Sequence, residues 1–509
     1  MAKLNVPHPY YLTTAEESQQ LDAQTIESFG IDGYTLMEIA GSKAAEQLIR
    51  QYNPGQHGLY LCGKGNNGGD ALVVARYLVH HGIKATLAFI SGTDDLSKDA
   101  NKNFELLRKI ANEDSSVSID IHTEWKPDDL TGSYDFIVDG MLGTGLNSDL
   151  RGDYEKAVHW ANNSDLPLHA IDIPTGLHAD TGQAMGASIK ADQTFAFGSL
   201  KQGFYLNEGP YYAGIPAYCD LPFPNYLKKD FSNFLIDEKW MEQRYPFERS
   251  PARHKYEAGV LYLVAGSEGL TGAAQMAARS AWAEGLGATI IICPRGLLPI
   301  FETNLIQHIK KPVGTVDDFH FSEEHLDDVL DIIHEKEGKV LFGPGLGRAP
   351  ETLRFTQQFL SRYEGDVLID ADGLWCLAQE PISRPENSRW ILTPHPGELT
   401  NILNTKIKDD NDRLIKVKSY SREQDITVVS KGYPVIVGTS EGNGYLTGYD
   451  TRNFARAGFG DVLAGKISAF WTLTGSTVQS CIRGLLSGKQ KMENHNQNSI
   501  APLEPFDLI

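Results

Sequence analysis

Short apolar runs alternate with amphipathic segments along most of the chain. From residue 57 to about 220 these runs are brief and often bounded by glycine or proline, as in GLYLCG, KATLAFI, YDFIVDG, PLHAIDIP and QTFAFG. Strands that are buried on both faces of a parallel sheet have this appearance. The segments between them, such as ALVVARYLVHHG, have helical periodicity. The alternation predicts a doubly wound α/β domain, preceded by two helices in residues 14–52.

A second alternation of the same kind fills the C-terminal half. It includes the strand-like runs GVLYLVAGS, ATIIICP, DVLIDADG, RWILTPHPGE and ITVVSKG, again with glycines near the strand ends. The segment 222–240 contains two prolines and predicts a linker. The pattern therefore predicts two doubly wound domains, over residues 10–222 and 235–505. The polar stretch 487–500 predicts a loose tail.

The composition is that of an acidic globular protein. The 509 residues carry a net charge of −20 at pH 7, which disfavours non-specific binding to nucleic acid. No apolar run approaches the roughly 20 residues of a membrane span, and the N-terminal residues lack a signal or transit pattern, so we expect a cytoplasmic protein. The five cysteines are scattered without a CxxC pair. We expect them to be buried rather than joined in disulfides or bound to zinc.

The segment GKGNNGGD, residues 63–70, places four glycines and two asparagines between a strand-like run and a helical one. Glycine permits positive φ and close approach of the backbone to a ligand. A loop of this kind directs N–H groups and the positive end of a helix towards an anion. The segment matches neither a Walker A motif nor GxGxxG. We interpret it as an anion-binding loop, with a tight structural turn as the alternative.

Two more polar loops follow predicted strands in the first half. VDGMLGTGL places Asp139 at one strand end, and AIDIPTGLHADTG places Asp172 at another, shortly before Thr175. A single aspartate at a strand end is more often a cap or a turn residue. Ligands of open α/β sheets, however, bind beyond the carboxyl ends of the strands. Three such loops therefore predict one crevice.

In the second half, AGFGDVLAG combines an anion-binding helix start with a carboxylate. Gly458 and Gly460 are expected to expose backbone N–H groups, and Asp461 stands where it can take a proton from a hydroxyl group. The alternative is that Asp461 only caps the helix. His395 in TPHPGE and Lys431 in SKGYPVIV also follow predicted strands, with ordinary structural or loop roles as alternatives.

The motifs GKGNNGGDALVVAR, VDGMLGTGL and IDIPTGLHADTG resemble those of the NAD(P)H-hydrate epimerase domain, over about residues 10–220. The resemblance implies a Rossmann-like fold and interconversion of the R and S epimers of hydrated NADH or NADPH. It implies that Asp172 contacts the reacting end of the substrate and is the catalytic acid or base. It also implies that the hydrated dinucleotide is bound by Asn66, Asn67, Gly68, Gly69, Asp70, Gly143, Thr144, Gly145, Leu146, Asn147, Ser148, Asp149 and Asp172.

The same resemblance implies a potassium ion held by Asn67, Asp139 and Thr175. These residues supply oxygen atoms, which are the donors that a hard cation prefers. The family usually has serine where this chain has Thr175, and threonine keeps both the hydroxyl group and the carbonyl group.

HKYEAG, GPGLG, DADGLW, TPHPGE, KG and GFGDVLAG resemble, in this order, the NAD(P)H-hydrate dehydratase domain of the ribokinase-like superfamily, over about residues 240–485. The resemblance implies that the S epimer loses water at the expense of ADP, giving AMP and phosphate, with Asp461 as the base. Magnesium is implied for the nucleotide phosphates, and Glu398 loosely matches an acidic position near that metal. The implied hydrate site comprises Ala273, Gly347, His395 and Asp461. The implied ADP site comprises Lys431, Gly432, Tyr433, Pro434, Val435 and Gly460.

The loop before Asp461 departs from the family pattern, which is close to GNPGMATGGTGD. In this chain NFARAGFGD is shorter and carries Arg456. Two interpretations stay open at this point: Arg456 adds a phosphate contact, or the shorter loop binds the nucleotide more weakly.

Together the two resemblances imply a bifunctional repair enzyme for hydrated NADH and NADPH. The order of the domains resembles the prokaryotic arrangement, which favours ADP as the phosphoryl donor, and family members assemble into homo-oligomers. The alternative enzyme is a ribokinase-like small-molecule kinase with a non-catalytic ligand-binding N-terminal domain. A binding protein is the third interpretation, since epimerase-like domains also occur as interaction modules.

Overall fold

The chain divides into two compact units between Asn233 and Phe234. This division falls inside the segment 222–240 that the sequence predicts as a linker. The computed structural model describes residues 10–130, 132–247, 254–380, 382–499 and 501–509.

The N-terminal unit is a parallel sheet with helices on both faces. Its strands are β1 (Leu12–Thr13), β2 (His57–Cys62), β3 (Lys84–Phe89), β4 (Ile119–His122), β5 (Phe136–Gly140), β6 (Leu168–Ile171), β7 (Gln193–Phe197), β8 (Leu200–Lys201) and β9 (Ile215–Cys219). Its helices are α1 (Ala15–Gln24), α2 (Gly33–Ile49), α3 (Asn66–His80), α4 (Lys98–Glu113), α5 (Asp153–Asn162) and α6 (Gly209–Tyr212). Helices α1 and α2 confirm the two helices predicted before the first alternation.

Seven of these strands form one sheet in the order β4-β3-β2-β5-β6-β7-β9, with neighbouring strands parallel. Strand β2 shows why the strand segments are continuously apolar. Its successive side chains point to opposite faces of the sheet, and each face packs into a hydrophobic cluster. Tyr60 and Cys62 face a cluster with α2, α3 and α4, whereas Leu59 and Leu61 face a second cluster with α5. Both faces of the sheet are therefore covered.

The C-terminal unit contains a ten-stranded sheet with its own helices. Its strands are β10 (Asn233–Leu235), β11 (Val260–Val264), β12 (Ala288–Pro294), β13 (Ile309–Val313), β14 (Lys339–Phe342), β15 (Val367–Ile369), β16 (Trp390–Leu392), β17 (Thr427–Ser430), β18 (Ile436–Gly438) and β19 (Gly444–Leu446). Its helices are α7 (Glu238–Arg244), α8 (Thr271–Ala283), α9 (Leu298–Asn304), α10 (Leu326–His334), α11 (Pro350–Arg362), α12 (Asp372–Gln379), α13 (Pro396–Leu403), α14 (Asp410–Glu423), α15 (Phe459–Thr474) and α16 (Thr477–Asn498).

The strand order in this sheet is β10-β19-β18-β17-β16-β15-β14-β11-β12-β13. The strands from β17 to β13 in that order run parallel, and β18 is antiparallel to both β17 and β19. Helix α15 packs against α8 and α16. A side chain on Gly465 would overlap the backbone of Ala277, which is why α15 and α8 come so close together. The predicted fold class, α/β with two doubly wound domains, is confirmed.

The polar stretch 487–500 is not a loose tail, because α16 continues as far as Asn498. The prediction is wrong because the polar residues cover only one side of the helix. On the other side, Met492 is buried in a hydrophobic cluster with Phe459, Val462 and Leu508. Among the described residues, no helix is both long enough and apolar enough to cross a membrane.

Candidate active sites

The loop after β2 and the end of β5 touch through their backbones. The N–H group of Gly63 donates a hydrogen bond to the carbonyl oxygen of Gly140, 3.1 Å away. A side chain on Gly63 would overlap the carbonyl oxygen of Met141, so only glycine permits this contact. Strand β3 lies on one side of β2 and β5 lies on the other. The strands that follow β2 along the chain are therefore added first to one side of it and then to the other, so the strand order reverses between β2 and β5. Open α/β sheets bind their ligands at such a switch point.

The segment predicted as an anion-binding loop is mostly helical. Helix α3 begins at Asn66, so residues 66–70 form its first turns and only residues 63–65 are loop. The expectation of positive φ is wrong for all four glycines of this segment. A side chain on Gly68 would instead overlap the backbone of Gly63, so close packing explains the glycine. The first N–H groups of α3 remain without helical partners at this end.

Asn67, Asp139 and Thr175 form one hydrogen-bond network. Thr175 donates its hydroxyl to Asp139 Oδ1 at 2.7 Å and its backbone N–H to Asp139 Oδ2 at 2.8 Å. The N–H of Leu142 donates to Thr175 Oγ1 at 2.9 Å, and its carbonyl accepts from Asn67 Nδ2 at 3.1 Å. The structure therefore brings the three residues expected to hold potassium to one place.

The oxygen donors of this network are of the kind that a hard cation prefers. Asp139 is fully buried, and burial raises the pKa of its carboxyl group to about 6 although hydrogen bonds from Thr175 and Met141 lower it. Within the described part of the chain, no lysine, arginine or histidine pairs with Asp139. Carboxylate, hydroxyl and carbonyl oxygens around an uncompensated buried charge are the donor set that a hard cation prefers.

Asp172 forms an ion pair with a buried lysine. Lys201 Nζ lies 2.5 Å from Asp172 Oδ1 and also donates to the carbonyl oxygen of Ser199 at 3.3 Å. The N–H of Phe197 donates to the same oxygen of Asp172 at 3.2 Å. Asp172 has a positive φ of 60°, which is uncommon outside glycine and asparagine and occurs at functional sites. The carboxylate is therefore held by donors on β7 and β8 and by a strained backbone.

The negative charge of Asp172 contributes to raised pKa values of two further carboxyl groups, those of Asp70 and Asp22. Burial raises the pKa of Asp70 well above its usual value, and the negative charges of Asp172 and Asp22 raise it further. Asp22 is exposed as a residue, yet the protein around its carboxyl group raises its pKa to about 6, with a smaller contribution from Asp172. Lys201 opposes both shifts. A cationic lysine thus stands among three acidic side chains.

The second segment expected to bind the dinucleotide follows β5 along the surface. Gly143 lies against Asn67, because a methyl group placed on it would be 3.6 Å from Asn67 Oδ1. Its neighbours Thr144 and Leu146 are partly buried. Four other members of the segment are exposed, namely Gly145, Asn147, Ser148 and Asp149. They lie at the rim and not in the buried network.

In the C-terminal unit, a cavity of about 640 Å³ collects most of the residues predicted there. It lies beyond β15 and β17 and beside the start of α15. The predicted residues that line it are His395, Glu398, Lys431, Gly432, Tyr433, Val435, Gly460 and Asp461. Ala273, Gly347 and Pro434 do not line it.

Asp461 shares this cavity with an ion pair. Lys431 Nζ lies 2.9 Å from Asp370 Oδ1, which also accepts the hydroxyl of Thr393 at 2.7 Å. Burial raises the pKa of Asp461 to about 7; the charge of Asp370 adds to the shift, and Lys431 opposes it. A carboxyl group with a pKa near neutrality is suited to exchange a proton at physiological pH. Asp461 stands in the first turn of α15 rather than at its cap, which is Gly458.

His395 has the structural role that the sequence left as an alternative. Its Nδ1 accepts hydrogen bonds from the N–H groups of Gly397 and Glu398, at 3.0 and 3.3 Å, and so caps α13. The carboxylate of Glu398 in turn accepts a hydrogen bond from the backbone N–H of His395 at 2.8 Å. The Glu398 side chain is only 14% exposed, and burial raises the pKa of its carboxyl group, so Glu398 is not an ordinary surface residue. Both side chains still line the cavity.

Gly347 does not line the cavity and is held in place by Asp372. Its N–H donates to Asp372 Oδ2 at 3.0 Å, and Arg348 Nε donates to Asp372 Oδ1 at 2.9 Å. Gly347 has a φ of 81°, which favours glycine. The negative charge of Asp372 also contributes to the raised pKa of Asp461. The residue that holds Gly347 therefore acts electrostatically on the carboxyl group in the cavity. Ala273 stands in the first turn of α8, partly buried.

The short loop before α15 contacts residues 501–509. Arg456 lines the cavity, and its Nη1 donates to the carbonyl oxygen of Leu503 at 3.3 Å. A side chain on Gly458 would contact Met276 and Pro505. Leu508 also lines the cavity. Residues 501–509 therefore form part of its wall.

Sequence reasoning missed Lys201 and Asp370. Asp370 stands directly after β15, in the same kind of position as Asp172 after β6, so the rule that singled out Asp172 would also have found it. Lys201 carried a weaker signal, a lysine in GSLKQGF just after the predicted strand QTFAFG. Its partner Asp172 is 29 residues away, so only the fold reveals the pair.

Comparison with known proteins assigns both halves. A family described as "YjeF-related protein N-terminus" matches residues 33–203, and a family described as "NAD(P)H-hydrate dehydratase" matches residues 261–505. The "Bifunctional NAD(P)H-hydrate repair enzyme Nnr" of Salinibacter ruber is 32% identical to this chain, over 97% of this chain and 95% of that protein. This chain belongs to the bifunctional NAD(P)H-hydrate repair enzyme family. The prediction of an epimerase half joined to a dehydratase half is thereby confirmed.

Other relatives span nearly the whole chain as well. The enzyme of the same name from Moorella thermoacetica is 31% identical over 90% of this chain and 87% of that protein. A solved ADP/ATP-dependent NAD(P)H-hydrate dehydratase from Bacillus subtilis, co-crystallized with ATP and Mg²⁺, is 22% identical and covers 54% of this chain and 94% of that chain. Its TM-score is 0.46.

Proposed function

We propose that this enzyme repairs hydrated NADH and NADPH in two steps, with Asp172 acting in the first and Asp461 in the second. The observation that carries the proposal is common to both units. In each, a lysine pairs with an aspartate that directly follows a parallel strand: Lys201 with Asp172, and Lys431 with Asp370. Such strand ends are where open α/β sheets bind ligands.

In the N-terminal unit, the hydrated dinucleotide lies across the start of α3 and the segment 143–149. The N–H groups of residues 66–68, which lack helical partners, bind its diphosphate, because a helix start favours anions. Asp172 then faces the reacting ring and moves the proton that accompanies inversion of the hydroxyl-bearing carbon.

Asn67, Asp139 and Thr175 would hold potassium in this unit. A potassium ion would compensate the buried charge of Asp139 and fix the loop of Leu142, to which Asn67 and Thr175 are both bonded. The site lies beside the start of α3, so its effect would be on the position of the bound diphosphate. The epimerase therefore depends on potassium in this proposal.

In the C-terminal unit, ADP occupies the cavity with its phosphates towards α15. The N–H groups of Gly460 and its neighbours, together with Lys431, bind the phosphates. Asp461 takes the proton from the hydroxyl group of the S epimer as that oxygen receives the terminal phosphoryl group of ADP and AMP leaves. Phosphate then leaves the ring carbon, and the neighbouring ring carbon loses a proton, which forms the double bond of NAD(P)H. His395 and Gly347 border the hydrate from the far side.

Magnesium would be held by Asp370 and Glu398 together with the nucleotide phosphates, and would neutralise charge on the transferred phosphoryl group. No group of three or more His, Cys, Asp or Glu side chains in the described chain is arranged to hold a metal by itself. We therefore expect magnesium to bind with the nucleotide, as it usually does.

The apolar end of the cavity accommodates the adenine base. It is bordered by Tyr449, Leu485 and Leu508 and by Gly488 of α16. Gly488 is buried, yet a methyl group placed on it would meet nothing within 4 Å. A buried position with free space beside it is the room that a flat ring requires.

A mixture of both epimers of hydrated NADH, supplied with ADP or ATP in turn, tests the whole proposal. We expect complete recovery of NADH absorbance with ADP. Recovery of only the S fraction would leave the N-terminal unit as a binding module, and Asp172→Asn should then have no effect. A stable phosphorylated product without NADH would instead support the alternative small-molecule kinase.

The remaining proposals concern the setting of the enzyme. We expect a cytoplasmic homo-oligomer, in line with the resemblance to the family. Light scattering of the purified chain tests its assembly, and fractionation of cells that express it tests its location.

A further inference from the structure

A buried arginine outside the cavity of the C-terminal unit holds the loop between β17 and β18. Arg413 of α14 is only 3% exposed and does not line the cavity, whereas Lys431, Gly432 and Tyr433 of that loop do. Burial of a guanidinium group is costly unless its donors and its charge are matched. The contacts of Arg413 therefore indicate which part of the protein it serves.

The guanidinium group pairs with one carboxylate and otherwise donates to the loop. Nε and Nη2 of Arg413 donate to Asp410 Oδ1, at 3.2 and 2.9 Å. Nη2 also donates to the carbonyl oxygen of Pro434 at 2.8 Å, and Nη1 donates to that of Lys431 at 3.3 Å. Nη1 further contacts Ser430, with its Oγ at 3.2 Å and its carbonyl oxygen at 3.4 Å. All three nitrogen atoms are used, and the backbone of the loop is held at three carbonyl groups.

The bond to Lys431 determines the direction of the next N–H group. In a trans peptide, the C=O of one residue and the N–H of the following residue point in opposite directions. The peptide between Lys431 and Gly432 is trans, and its carbonyl group points to Arg413. The N–H of Gly432 therefore points away from Arg413, in a loop whose residues line the cavity. Within the described part of the chain nothing accepts this N–H, so it is a donor available to a ligand.

The peptide groups around Gly432 are fixed from other directions as well. The N–H of Lys431 donates to the carbonyl oxygen of Pro394 at 2.8 Å, and the carbonyl oxygen of Gly432 accepts the hydroxyl of Thr451 at 2.6 Å. A methyl group placed on Gly432 would lie 2.7 Å from Arg413 Nη1, so the guanidinium group would have to move. The φ of 146° at Gly432 also favours glycine. The glycine and the arginine therefore belong to one arrangement.

The loop is close to the part of the cavity where we place the phosphates. A methyl group placed on Gly460, in the first turn of α15, would lie 3.3 Å from Lys431 Nζ. The loop is thus one lysine side chain away from the start of α15. A second N–H donor beside an anion-binding helix start suits a ligand with several phosphate oxygens.

We propose that Arg413 is a positioning residue of the dehydratase, which turns the peptide between Lys431 and Gly432 so that the Gly432 N–H donates to a phosphate oxygen of the nucleotide. This inference rests on the proposed function of the C-terminal unit. The family resemblance implies only that Gly432 contacts the nucleotide. The inference adds the atom that makes the contact and the buried residue that sets its direction.

The first experiment measures recovery of NADH from purified S epimer at varied ADP, in the full-length enzyme. Arg413→Met keeps an apolar side chain in the buried space and removes every donor of the guanidinium group. We expect the KM for ADP to rise about tenfold or more, as for the loss of a hydrogen bond to a charged group, with the KM for the S epimer within about threefold. An unchanged KM for ADP would overturn the proposal.

Two inhibitors locate the loss within the nucleotide. Pyrophosphate has phosphate oxygens and no base, and adenosine has a base and no phosphate. Inhibition by pyrophosphate should weaken in Arg413→Met by the factor by which the KM for ADP rises. Inhibition by adenosine should stay within about twofold, because only phosphate oxygens meet the Gly432 N–H. Equal weakening of both inhibitors would mean that Arg413 has only a structural role, and the proposal would fail.

Arg413→Lys distinguishes positioning from charge. The lysine keeps the buried positive charge, but one ammonium group cannot bond the separate carbonyl groups that the guanidinium fork reaches. We therefore expect the KM for ADP to rise at least about fivefold in this variant too. An unchanged KM would mean that charge alone assists phosphate binding, which would contradict the proposal. This variant also keeps the test open if Arg413→Met does not fold.

Arg384→Met is the matched control. Arg384 also donates to a backbone carbonyl group, that of Ser388, and pairs with Asp425 at 2.9 Å, but it does not line the cavity. Its side chain is 18% exposed. We expect its loss to lower the midpoint of urea denaturation and to leave the KM for ADP within about threefold. If Arg384→Met raised that KM as much as Arg413→Met, loss of any such arginine would explain the effect, and the proposal would fail.

Failure of the proposed function would have a different signature. If the unmodified enzyme restores no NADH from the S epimer with either ADP or ATP, the proposed function of the C-terminal unit fails. If it does restore NADH, and Arg413→Met has the same KM for the nucleotide, only the present inference fails. Epimer exchange, measured on the same samples, should be equal in all variants because it reports the N-terminal unit.

Discussion

Lys431 Nζ lies 2.9 Å from Asp370 Oδ1, and this ion pair borders the carboxyl group of Asp461. Because Lys431 is already paired with Asp370, its charge only partly stabilises an ionised Asp461. The result is an acidic side chain with a pKa of about 7 in the first turn of α15. In the proposed mechanism, the proton transfer of the C-terminal unit depends on that balance.

Asp461→Asn should stop ADP-dependent dehydration and leave exchange of the epimers intact. The amide cannot take the hydroxyl proton, so we expect a fall of about 100-fold or more in the dehydration rate. Recovery of NADH absorbance and separation of the epimers by chromatography give the two rates. Loss of both activities together would contradict two independent sites.

The dehydration rate should rise with pH through about 7. The base must be ionised to act, and burial together with Asp370 raises its pKa to about 7. Asp370→Asn removes one of the charges that raise this pKa, so the rise should move to lower pH. A pH–rate profile of kcat at saturating ADP measures both. A rise that is unmoved in the variant would count against Asp461 as the titrating group.

The stability of the protein should also depend on Asp461. Its folded pKa is raised, so its favourable contribution is present at low pH and is lost as pH increases through about 7. Asp461→Asn has no such loss and should gain roughly 1–2 kcal/mol relative to the unmodified protein between pH 5 and pH 8. Urea denaturation at the two pH values measures the difference. An unchanged difference would mean that the carboxyl group is already well solvated.

Replacing potassium by lithium should weaken the epimerase and spare the dehydratase, because the smaller ion suits the oxygens around Asp139 less well. Thr175→Val should reduce the response to potassium by removing one oxygen, while Thr175→Ser keeps it. Epimer exchange rates in potassium, lithium and choline salts measure the response. Equal rates in all three salts would count against an ion site.

Gly488→Leu should raise the KM for ADP by about tenfold or more and leave epimer exchange unchanged. The new side chain fills the free space at the apolar end of the cavity, where we place the adenine base. Gly488→Ala should have a much smaller effect, because a single methyl group meets nothing within 4 Å. Inhibition by pyrophosphate, which has no base, should be the same in both variants. Equal weakening of ADP and pyrophosphate would contradict the position assigned to the base.

Much of the architecture follows from the sequence alone, because buried parallel strands leave continuous apolar runs. The aspartates at the ends of β5 and β6 could also be found from the sequence, because the predicted strands are parallel and their carboxyl ends lie at one edge of the sheet. Lys201 could not be found in this way, because its significance depends on a partner brought close only by the pairing of β1 with β8.

Local appearance also misled in identifiable ways. Residues 66–70 look like a loop because glycine and asparagine are poor helix formers, yet α3 includes them because close packing excludes larger side chains. Residues 487–498 look unstructured because their buried face is narrow, with Gly488 and Met492 as its inner residues. In both places tertiary packing overrides local propensity.

Gly63 is constrained by close packing of the backbone and not by a role in the reaction. It offers no side chain to a ligand, but any carbon added to it would push the loop after β2 away from Met141 and separate the start of α3 from the network around Asp139. A mutational scan of the N-terminal unit should therefore find this position as intolerant as the acidic residues. Alanine there would shift the start of α3 relative to the network around Asp139, without deleting any residue of either.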